Sequence, residues 1–312
     1  MNTIKKLLFI SFLVSMSGYL LAQQISLDNQ YVVNKYALSP AYAGYNQDLE
    51  VFATYRNDWV GFEDSPQKIM LNMNTMPYKN MGIGVSINNE RVTVFNNLSL
   101  HLSYAYQVKL ANYHALNLGL SAGIFDSQIN FSDNLQDQVD PLVMETAVQR
   151  GMTYDLGIGA FYSYKDLKVG VYIPRLLESQ IKNESDDEDV LYSLKRHYIA
   201  HASYSYVINS DFILEPDIVV YKSIYSPVFF NFSGKVIYQN LVWAGIIYRK
   251  ISTVGINVGT HYKQLIVNYS FELFGQEFLN GSSGSHEITI GYVLGRDKEK
   301  GRSIKNPYMN WK

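Results

Sequence analysis

The sequence predicts an all-β protein: a transmembrane up-and-down antiparallel β-barrel of about 14 strands, with short periplasmic turns and longer extracellular loops. Three observations predict it. Apolar and polar residues alternate along many segments, the connectors alternate between short and long, and the composition is aromatic. Aromatic residues make up 14% of the 312 residues, including 26 tyrosines, whereas charged residues make up only 17%. Soluble domains carry about 25% charged residues, and excess tyrosine suits the aromatic belts of a membrane barrel.

The alternation is clearest between Asn97 and Leu110. Leucine, tyrosine and valine fill the even positions, and mostly polar residues fill the odd positions. Successive side chains of a strand point to opposite faces, so one face of this strand is apolar and the other polar. A tilted strand of about 10 residues crosses a bilayer. The segment is therefore predicted to cross a membrane with its apolar face toward lipid; a long half-buried strand of a soluble sandwich is the alternative that the segment alone leaves open.

Further segments of the same kind follow almost without a break. The other predicted strands are 49–56, 69–75, 83–87, 116–124, 154–162, 167–173, 198–206, 212–220, 228–236, 241–248, 254–260, 265–273 and 287–294. The total is even, as in bacterial outer-membrane barrels. A short helix fits only 135–150 and 175–182, which both lie in predicted loops.

The connectors separate a membrane barrel from a soluble β-sandwich. Those after even-numbered strands are short: 78–80, 111–113, 165–166, 208–211, 239–240 and 262–264. Those after odd-numbered strands are longer, with 250–252 as the exception: 57–67, 89–95, 129–153, 175–195, 222–226 and 274–285. A meander across an outer membrane has turns on one side and loops on the other. A Greek-key sandwich has no reason to alternate in this way.

The N-terminus has the features of a secretory signal peptide. Lys5 and Lys6 precede an apolar run that ends at Leu21, and Ala22 is a small residue suited to cleavage. A retained anchor helix is the alternative. The predicted organisation is a signal peptide at 1–22, a periplasmic lead-in or plug at 23–47, a barrel at 48–295 and a periplasmic C-terminal tail at 296–312. Both ends of the mature chain are expected in the periplasm.

The sequence argues against several classes of function. It has no cysteine, which excludes disulfides, thiol catalysis and a lipoprotein anchor. Its net charge of −2 gives no basic footprint for nucleic acid. His197 and His201 share a strand face but lie about 13 Å apart, too far for a metal site. We therefore expect no cofactor and no metal.

An enzyme is also not expected. A barrel lipase would need a serine and a histidine on a lipid-facing ridge. The arrangement that comes nearest is His101 with Ser99 or Ser103, and it faces the predicted lumen. Lumen-facing charges are predicted at Lys109, Glu215, Asp217 and Lys235, which either pair with one another or line a pore.

Two motifs carry a resemblance to a known family. One is Leu38-Ser-Pro-Ala-Tyr-Ala-Gly44, and the other is Tyr55-Arg-Asn-Asp-Trp-Val-Gly-Phe62, followed by Ser65-Pro66. Together with Met81-Gly-Ile-Gly-Val-Ser86, the chain resembles the PorP/SprF family of outer-membrane proteins associated with the type IX secretion system. In that family the first motif commonly reads Asn-Pro-Ala-Tyr-Ala-Gly, so Ser39 is a departure.

The resemblance implies a function in protein secretion. It implies an outer-membrane location, contact with outer-membrane lipid and with type IX secretion components, and no enzyme activity. Gliding-motility members of the family support delivery or surface anchoring of very large adhesins. The motifs do not distinguish a general role in secretion from a role for one cargo. The alternative from another class is an outer-membrane channel or transporter for small solutes, with residues 23–47 as a plug.

The motif residues are the candidate partner-contact positions. Pro40 and Gly44 are predicted to bracket a turn, and Tyr42 to pack into the periplasmic mouth of the barrel. Trp59 and Phe62 are expected either to form a partner surface or to pack inward, with Arg56 paired to a lumen carboxylate. The full candidate set is Pro40, Ala41, Tyr42, Gly44, Tyr55, Arg56, Trp59, Gly61 and Phe62.

Overall fold

Antiparallel strands account for most of the chain in the computed structural model, which describes residues 27–130, 148–184, 186–224, 226–249, 253–273 and 281–294. The strands are β1 Leu49–Asn57, β2 Gln67–Tyr78, β3 Met81–Val92, β4 Phe95–Ala111, β5 His114–Asn130, β6 Val148–Tyr164, β7 Leu167–Ile173, β8 Gln180–Asn183, β9 Asp186–Ser193, β10 His197–Tyr204, β11 Tyr206–Val207, β12 Phe212–Ser223, β13 Phe229–Tyr238, β14 Val242–Arg249, β15 Thr253–Tyr262, β16 Leu265–Leu273 and β17 Ser285–Leu294. Three short 3₁₀ helices precede them: η1 Asn29–Val32, η2 Lys35–Ala37 and η3 Pro40–Tyr42.

The strands close into a barrel. Consecutive wall strands pair with one another, and β1 pairs with β17 from Leu49 opposite Leu294 to Asn57 opposite His286. β10 pairs with β12, and β11 continues the line of β10 along β12. The wall therefore has 14 strands, which confirms the predicted fold class. The hairpin β8–β9 forms a separate two-stranded sheet that is not part of the wall.

The two faces of the wall differ in the way the alternation predicts. On β5, Leu118 and Leu120 point outward and are 44% and 57% exposed. Asn117 and Ser121 point inward and are buried. An apolar outer face around a polar interior is the pattern of a barrel in lipid. Among the described residues, no helix is long and apolar enough to span a membrane.

The two ends of the barrel differ in their connections. The end carrying the two-residue hairpins, such as Lys165-Asp166, also holds the start of β1 and the end of β17; we call it the turn end. The opposite end carries the longer connections and is called the loop end. The turn-end predictions at 165–166 and 239–240 lie where the structure places turns.

Two sequence predictions at the loop end are wrong. The predicted loop at 89–95 is mostly strand, because β3 and β4 pair as far as Val92 opposite Phe95 and leave only a tight turn. Polar residues there interrupt the apolar pattern without interrupting the backbone ladder. The possible helix at 175–182 is also absent, since Gln180–Asn183 forms β8.

Some predicted segments lie outside the described residues. These are the signal peptide at 1–22, the first residues of the lead-in at 23–26, the C-terminal tail at 296–312, the central part of the 129–153 connector with most of the possible helix at 135–150, the connector at 250–252, and residues 274–280 of the 274–285 connector.

Residues 27–47 run along the inside of the barrel, and we call them the lumen segment. The main-chain nitrogen of Asn29 donates to Glu287, at the loop end. The main-chain nitrogen of Gly44 donates to Asn74, near the turn end. The segment thus passes through the lumen from the loop end to the turn end before β1 begins. The sequence alone did not distinguish such a plug from a periplasmic lead-in. Ser39 starts η3 by accepting from the Ala41 nitrogen, and Pro40 suits the first helical position.

Candidate functional site in the barrel lumen

Glycines in the wall let the lumen segment approach the strands closely. A Cβ atom on Gly82 would lie 1.9 Å from the carbonyl oxygen of Ala43, and one on Gly119 would lie 2.2 Å from the Ala41 nitrogen. These distances are far inside van der Waals contact, so any side chain at either position would displace the segment. The glycines of the Met81–Ser86 motif are thereby explained by packing.

The first motif forms the part of the lumen segment that lies nearest the turn end. Tyr42 stacks on Phe161 with ring centroids 3.9 Å apart, and its hydroxyl is joined to His201 Nε2 by a hydrogen bond of 2.7 Å. Ala41 and Tyr42 are 1% and 3% exposed. Gly44 has φ +67°, a left-handed conformation that favours glycine. The motif residues therefore fill the lumen and are not available as a free partner surface.

Removing the Tyr42 hydroxyl is expected to destabilise the barrel. Tyr42→Phe leaves the buried His201 ring without this partner, which costs about 1–3 kcal/mol. Urea unfolding in detergent micelles measures the difference. Tyr113→Phe, at an exposed turn residue, is the matched control and should unfold as the wild type does. Equal midpoints for the two variants would contradict the assigned role of the hydroxyl.

The second motif places Arg56 in a buried ionic network. The Arg56 guanidinium lies 2.6 Å from Glu272, 3.0 Å from Glu287 and 2.6 Å from Asp58. Arg249 adds a contact of 2.8 Å to Glu272. Burial would raise the pKa of the Asp58 carboxyl, but the neighbouring Arg56 holds it below the usual range. The network joins β1, β14, β16 and β17 beneath the loop end.

The same network binds the end of the lumen segment that lies nearest the loop end. Glu287 accepts from the Asn29 main-chain nitrogen at 2.8 Å, and Arg249 donates to the Asn29 side-chain oxygen at 2.6 Å. Lys68 pairs with Asp28 at 3.0 Å. The loop-end part of the lumen segment is thus held by charged groups from three wall strands.

The rest of the second motif lies at the loop end or on the outer face. Trp59 and Phe62 are 39% and 45% exposed. Val60 exchanges main-chain hydrogen bonds with the segment before β17, at 2.9 Å to the Gly284 oxygen and 2.6 Å from the Ser283 nitrogen. Gly61 has φ +108°, and a Cβ there would meet the Gly281 oxygen at 2.7 Å. Main-chain hydrogen bonds thus hold the loop in place, while the side chains of Trp59 and Phe62 remain partly exposed. Tyr55 points outward on β1.

The middle of the lumen contains a second group of ion pairs. Lys35 of the lumen segment pairs with Asp217, and Lys235 pairs with Glu215 at 3.0 Å and donates to the Val32 oxygen at 2.8 Å. Three of the predicted lumen charges, Glu215, Asp217 and Lys235, therefore have ion pairs that compensate them and help tie the segment to the wall, whereas Lys109 is exposed near the turn end.

A cavity of about 220 Å³ remains beside the lumen segment. Its lining includes Asn72, Asn88, Ser99, His101, Ser103 and Asp155. His101 Nε2 lies 3.1 Å from Asp155, whereas Ser103 accepts from the Tyr36 hydroxyl at 3.0 Å and Ser99 from Asn88 at 3.4 Å. Among the hydrogen bonds of the described residues, neither serine pairs with His101.

Sequence reasoning missed Glu272 and Glu287, the two carboxylates that bind Arg56. Both are 1% exposed and occupy inward positions on strands whose outward positions are apolar. An acidic residue on the polar side of a predicted membrane strand was the available signal. The alternation assigns each residue to a face but does not say which inward residues meet across the lumen.

A closed barrel with an apolar outer face and a charged, filled lumen defines the chain as an outer-membrane β-barrel. The chain belongs to the PorP/SprF family, described as type IX secretion system membrane proteins, which it matches over residues 20–292. That membership confirms the resemblance carried by the two motifs. It also places the protein among outer-membrane components of type IX secretion.

Solved structures of similar shape are outer-membrane proteins of low sequence identity. The chain is 11% identical to the CymD monoaromatic hydrocarbon channel, with a TM-score of 0.49, covering 88% of this chain and 94% of that one. It is 8% identical to Omp33 of Acinetobacter baumannii, with a TM-score of 0.46, covering 80% and 97%. It is 10% identical to the Pseudomonas putida toluene transporter TodX, with a TM-score of 0.44, covering 87% of this chain and 93% of that one. No curated protein matches the sequence.

Proposed function

We propose that the protein is a non-enzymatic component of type IX secretion that supports delivery or surface anchoring of a large secreted protein. The observation that supports this most is the filled lumen. Buried ion pairs and a stacked tyrosine hold the lumen segment along the barrel. A barrel closed in this way suits a fixed platform better than an open pore.

The proposal includes a direction across the membrane. Short turns lie on the periplasmic side of bacterial barrels and longer loops on the outer side. The turn end therefore faces the periplasm, where secretion components and the tail at 296–312 would meet. The loop end faces outward, toward the cargo.

The cargo contact is assigned to the loop end. Trp59 and Phe62 are large, partly exposed aromatic residues on a loop that main-chain hydrogen bonds hold in place. Aromatic residues on a fixed backbone are typical anchors of protein interfaces, because little conformational freedom is lost on binding. The large cargo is a surface adhesin of the gliding-motility kind that the family resemblance implies.

Affinity purification of the tagged protein from detergent-solubilised outer membranes tests the proposal. We expect a very large secreted protein to copurify near one to one, as identified by mass spectrometry. Trp59→Ala/Phe62→Ala should reduce its recovery at least about tenfold, since truncating interface aromatics costs 1.4 kcal/mol or more. Tyr113→Ala at the turn end is the control and should retain the cargo. Full recovery with the double variant would assign the contact elsewhere.

A channel for small solutes is the second candidate, and the cavity beside the lumen segment favours it. The cavity follows the lumen segment from Leu27 to Pro40, so a modest shift of the segment would lengthen a path through the barrel. Planar-bilayer recordings distinguish the two functions. If the barrel is purified alone and conducts ions in its native form, the secretion proposal fails and the channel takes its place.

A further inference from the structure

Three hairpins at the turn end share a tyrosine followed by a lysine. They are Tyr78-Lys79 between β2 and β3, Tyr164-Lys165 between β6 and β7, and Tyr262-Lys263 between β15 and β16. The strand order spreads these hairpins around the rim of the barrel. We call these six residues the Tyr–Lys turns. A repeated pair at separate points of one rim suggests a shared environment.

The tyrosines of the Tyr–Lys turns face the membrane side of the wall. Tyr78, Tyr164 and Tyr262 are 72%, 37% and 61% exposed on the outer face. Lys165 Nζ lies 5.4 Å from the centroid of the Tyr164 ring, and Lys263 Nζ lies 5.3 Å from that of Tyr262. These cation–π contacts hold both ammonium groups beside a lipid-facing ring. Within the described part of the chain, none of the three lysines belongs to an ion pair.

The backbone at two of these turns is unfavourable for lysine. Lys165 has φ +49° and Lys263 has φ +57°. Glycine, asparagine and aspartate are the residues that tolerate this left-handed region in two-residue hairpins. At the same rim, Asn80 and Asn240 occupy such positions, with φ +67° and +54°, and so do Tyr113 and Gln239, with φ +65° and +49°. Turn geometry therefore does not by itself account for lysine at 165 and 263.

We propose that the Tyr–Lys turns bind the phosphate groups of phospholipids in the leaflet at the turn end. Tyrosine rings settle at the level of lipid headgroups, and a lysine stem lies along apolar surface while its ammonium reaches the polar layer. An ammonium without an ion pair at that level suits a lipid phosphate, which is a strong hydrogen-bond acceptor. The barrel is thereby fixed in depth at three points. This inference goes beyond the proposed function and does not depend on the cargo.

Native mass spectrometry of the full mature chain, with lipid added at a fixed ratio, tests the proposal. The probes are phosphatidylglycerol and a neutral digalactosyl diacylglycerol that lacks phosphate. The test variant is Lys79→Gln/Lys165→Gln/Lys263→Gln. Its matched control removes three loop-end lysines, as Lys182→Gln/Lys195→Gln/Lys222→Gln. We expect the test variant to lose most of the phosphatidylglycerol that the wild type retains, the control to keep it, and the neutral lipid to bind all three alike.

A second variant separates lipid binding from folding. Lys165→Asn/Lys263→Asn places a residue suited to the left-handed region at both turns. We expect its thermal unfolding midpoint in detergent to rise while its retained phosphatidylglycerol falls. The proposal is overturned if either test variant retains the lipid as the wild type does. It is equally overturned if the loop-end control loses as much.

Discussion

Arg56→Met is expected to lower the free energy of unfolding of the barrel by about 3–5 kcal/mol, because it leaves buried carboxylates without their cation. In the variant, Glu287 loses its ion pair with Arg56, and Glu272 keeps only its ion pair with Arg249. Both carboxylates are 1% exposed, so water does not replace the guanidinium. Urea titration of the purified barrel in detergent measures the change. The folded fraction at each urea concentration is read from the heat-dependent shift in mobility on SDS gels.

Arg150→Met is the matched control for this prediction. Arg150 also forms a pair with a carboxylate, at 2.9 Å from Asp126, but its side chain is 55% exposed. Exposed ion pairs contribute little to stability, so we expect no measurable change. Adding Glu287→Gln to Arg56→Met should restore part of the lost stability, since one uncompensated charge is removed. If Arg56→Met unfolds at the same urea concentration as Arg150→Met, the network does not stabilise the fold.

Gly119→Val is expected to displace the lumen segment and convert the barrel into a conducting pore. A Cβ at this position would lie 2.2 Å from the Ala41 nitrogen and 2.4 Å from its Cα. These are main-chain atoms, so a rotamer change does not relieve the clash. Barrels of this size enclose more space than their own inward side chains fill once a plug leaves. Planar-bilayer recordings should change from a closed baseline to discrete open steps.

The control for the pore prediction is Gly234→Val. A Cβ on Gly234 meets no atom within 4 Å, so the added side chain leaves the lumen unchanged. Gly82→Val on β3, which clashes with the carbonyl oxygen of Ala43, should open the barrel as Gly119→Val does. A closed baseline for both lumen-facing variants, with folding intact, would show that the lumen segment is not what blocks the pore.

The fold could be predicted from the sequence because its determinants are local. Period-two alternation reports the two faces of each strand, and connector lengths report which end each connection lies on. The alternation in Asn97–Leu110 identifies a strand without tertiary information, and the connector lengths along the rest of the chain identify it as a membrane strand. The same rule failed between Val92 and Phe95, where the strands extend past the apolar band and the alternation no longer marks them.

The candidate site could be predicted only in part, because its contacts are long-range. The sequence predicted that Tyr42 packs into a mouth of the barrel, and it offered the pairing of Arg56 with a lumen carboxylate as one of two alternatives. It did not indicate that Glu272 and Glu287 supply that carboxylate, since they are 216 and 231 positions away. The path of the lumen segment depends on side chains from many strands, and no local pattern encodes it.

The Arg56 network has a consequence for the order of barrel assembly. Arg56 lies on the first wall strand, while Glu272 and Glu287 lie on the last two, and β1 and β17 form the closing seam. The residues that hold Asn29 also come from β14 and β17. Arg56 and Asn29 therefore reach these partners only when the last strands are in place, whereas Asp28 and Gly44 already have partners on β2. Closure of the wall and completion of this network become one step in barrel assembly, so a chain truncated before β16 lacks both.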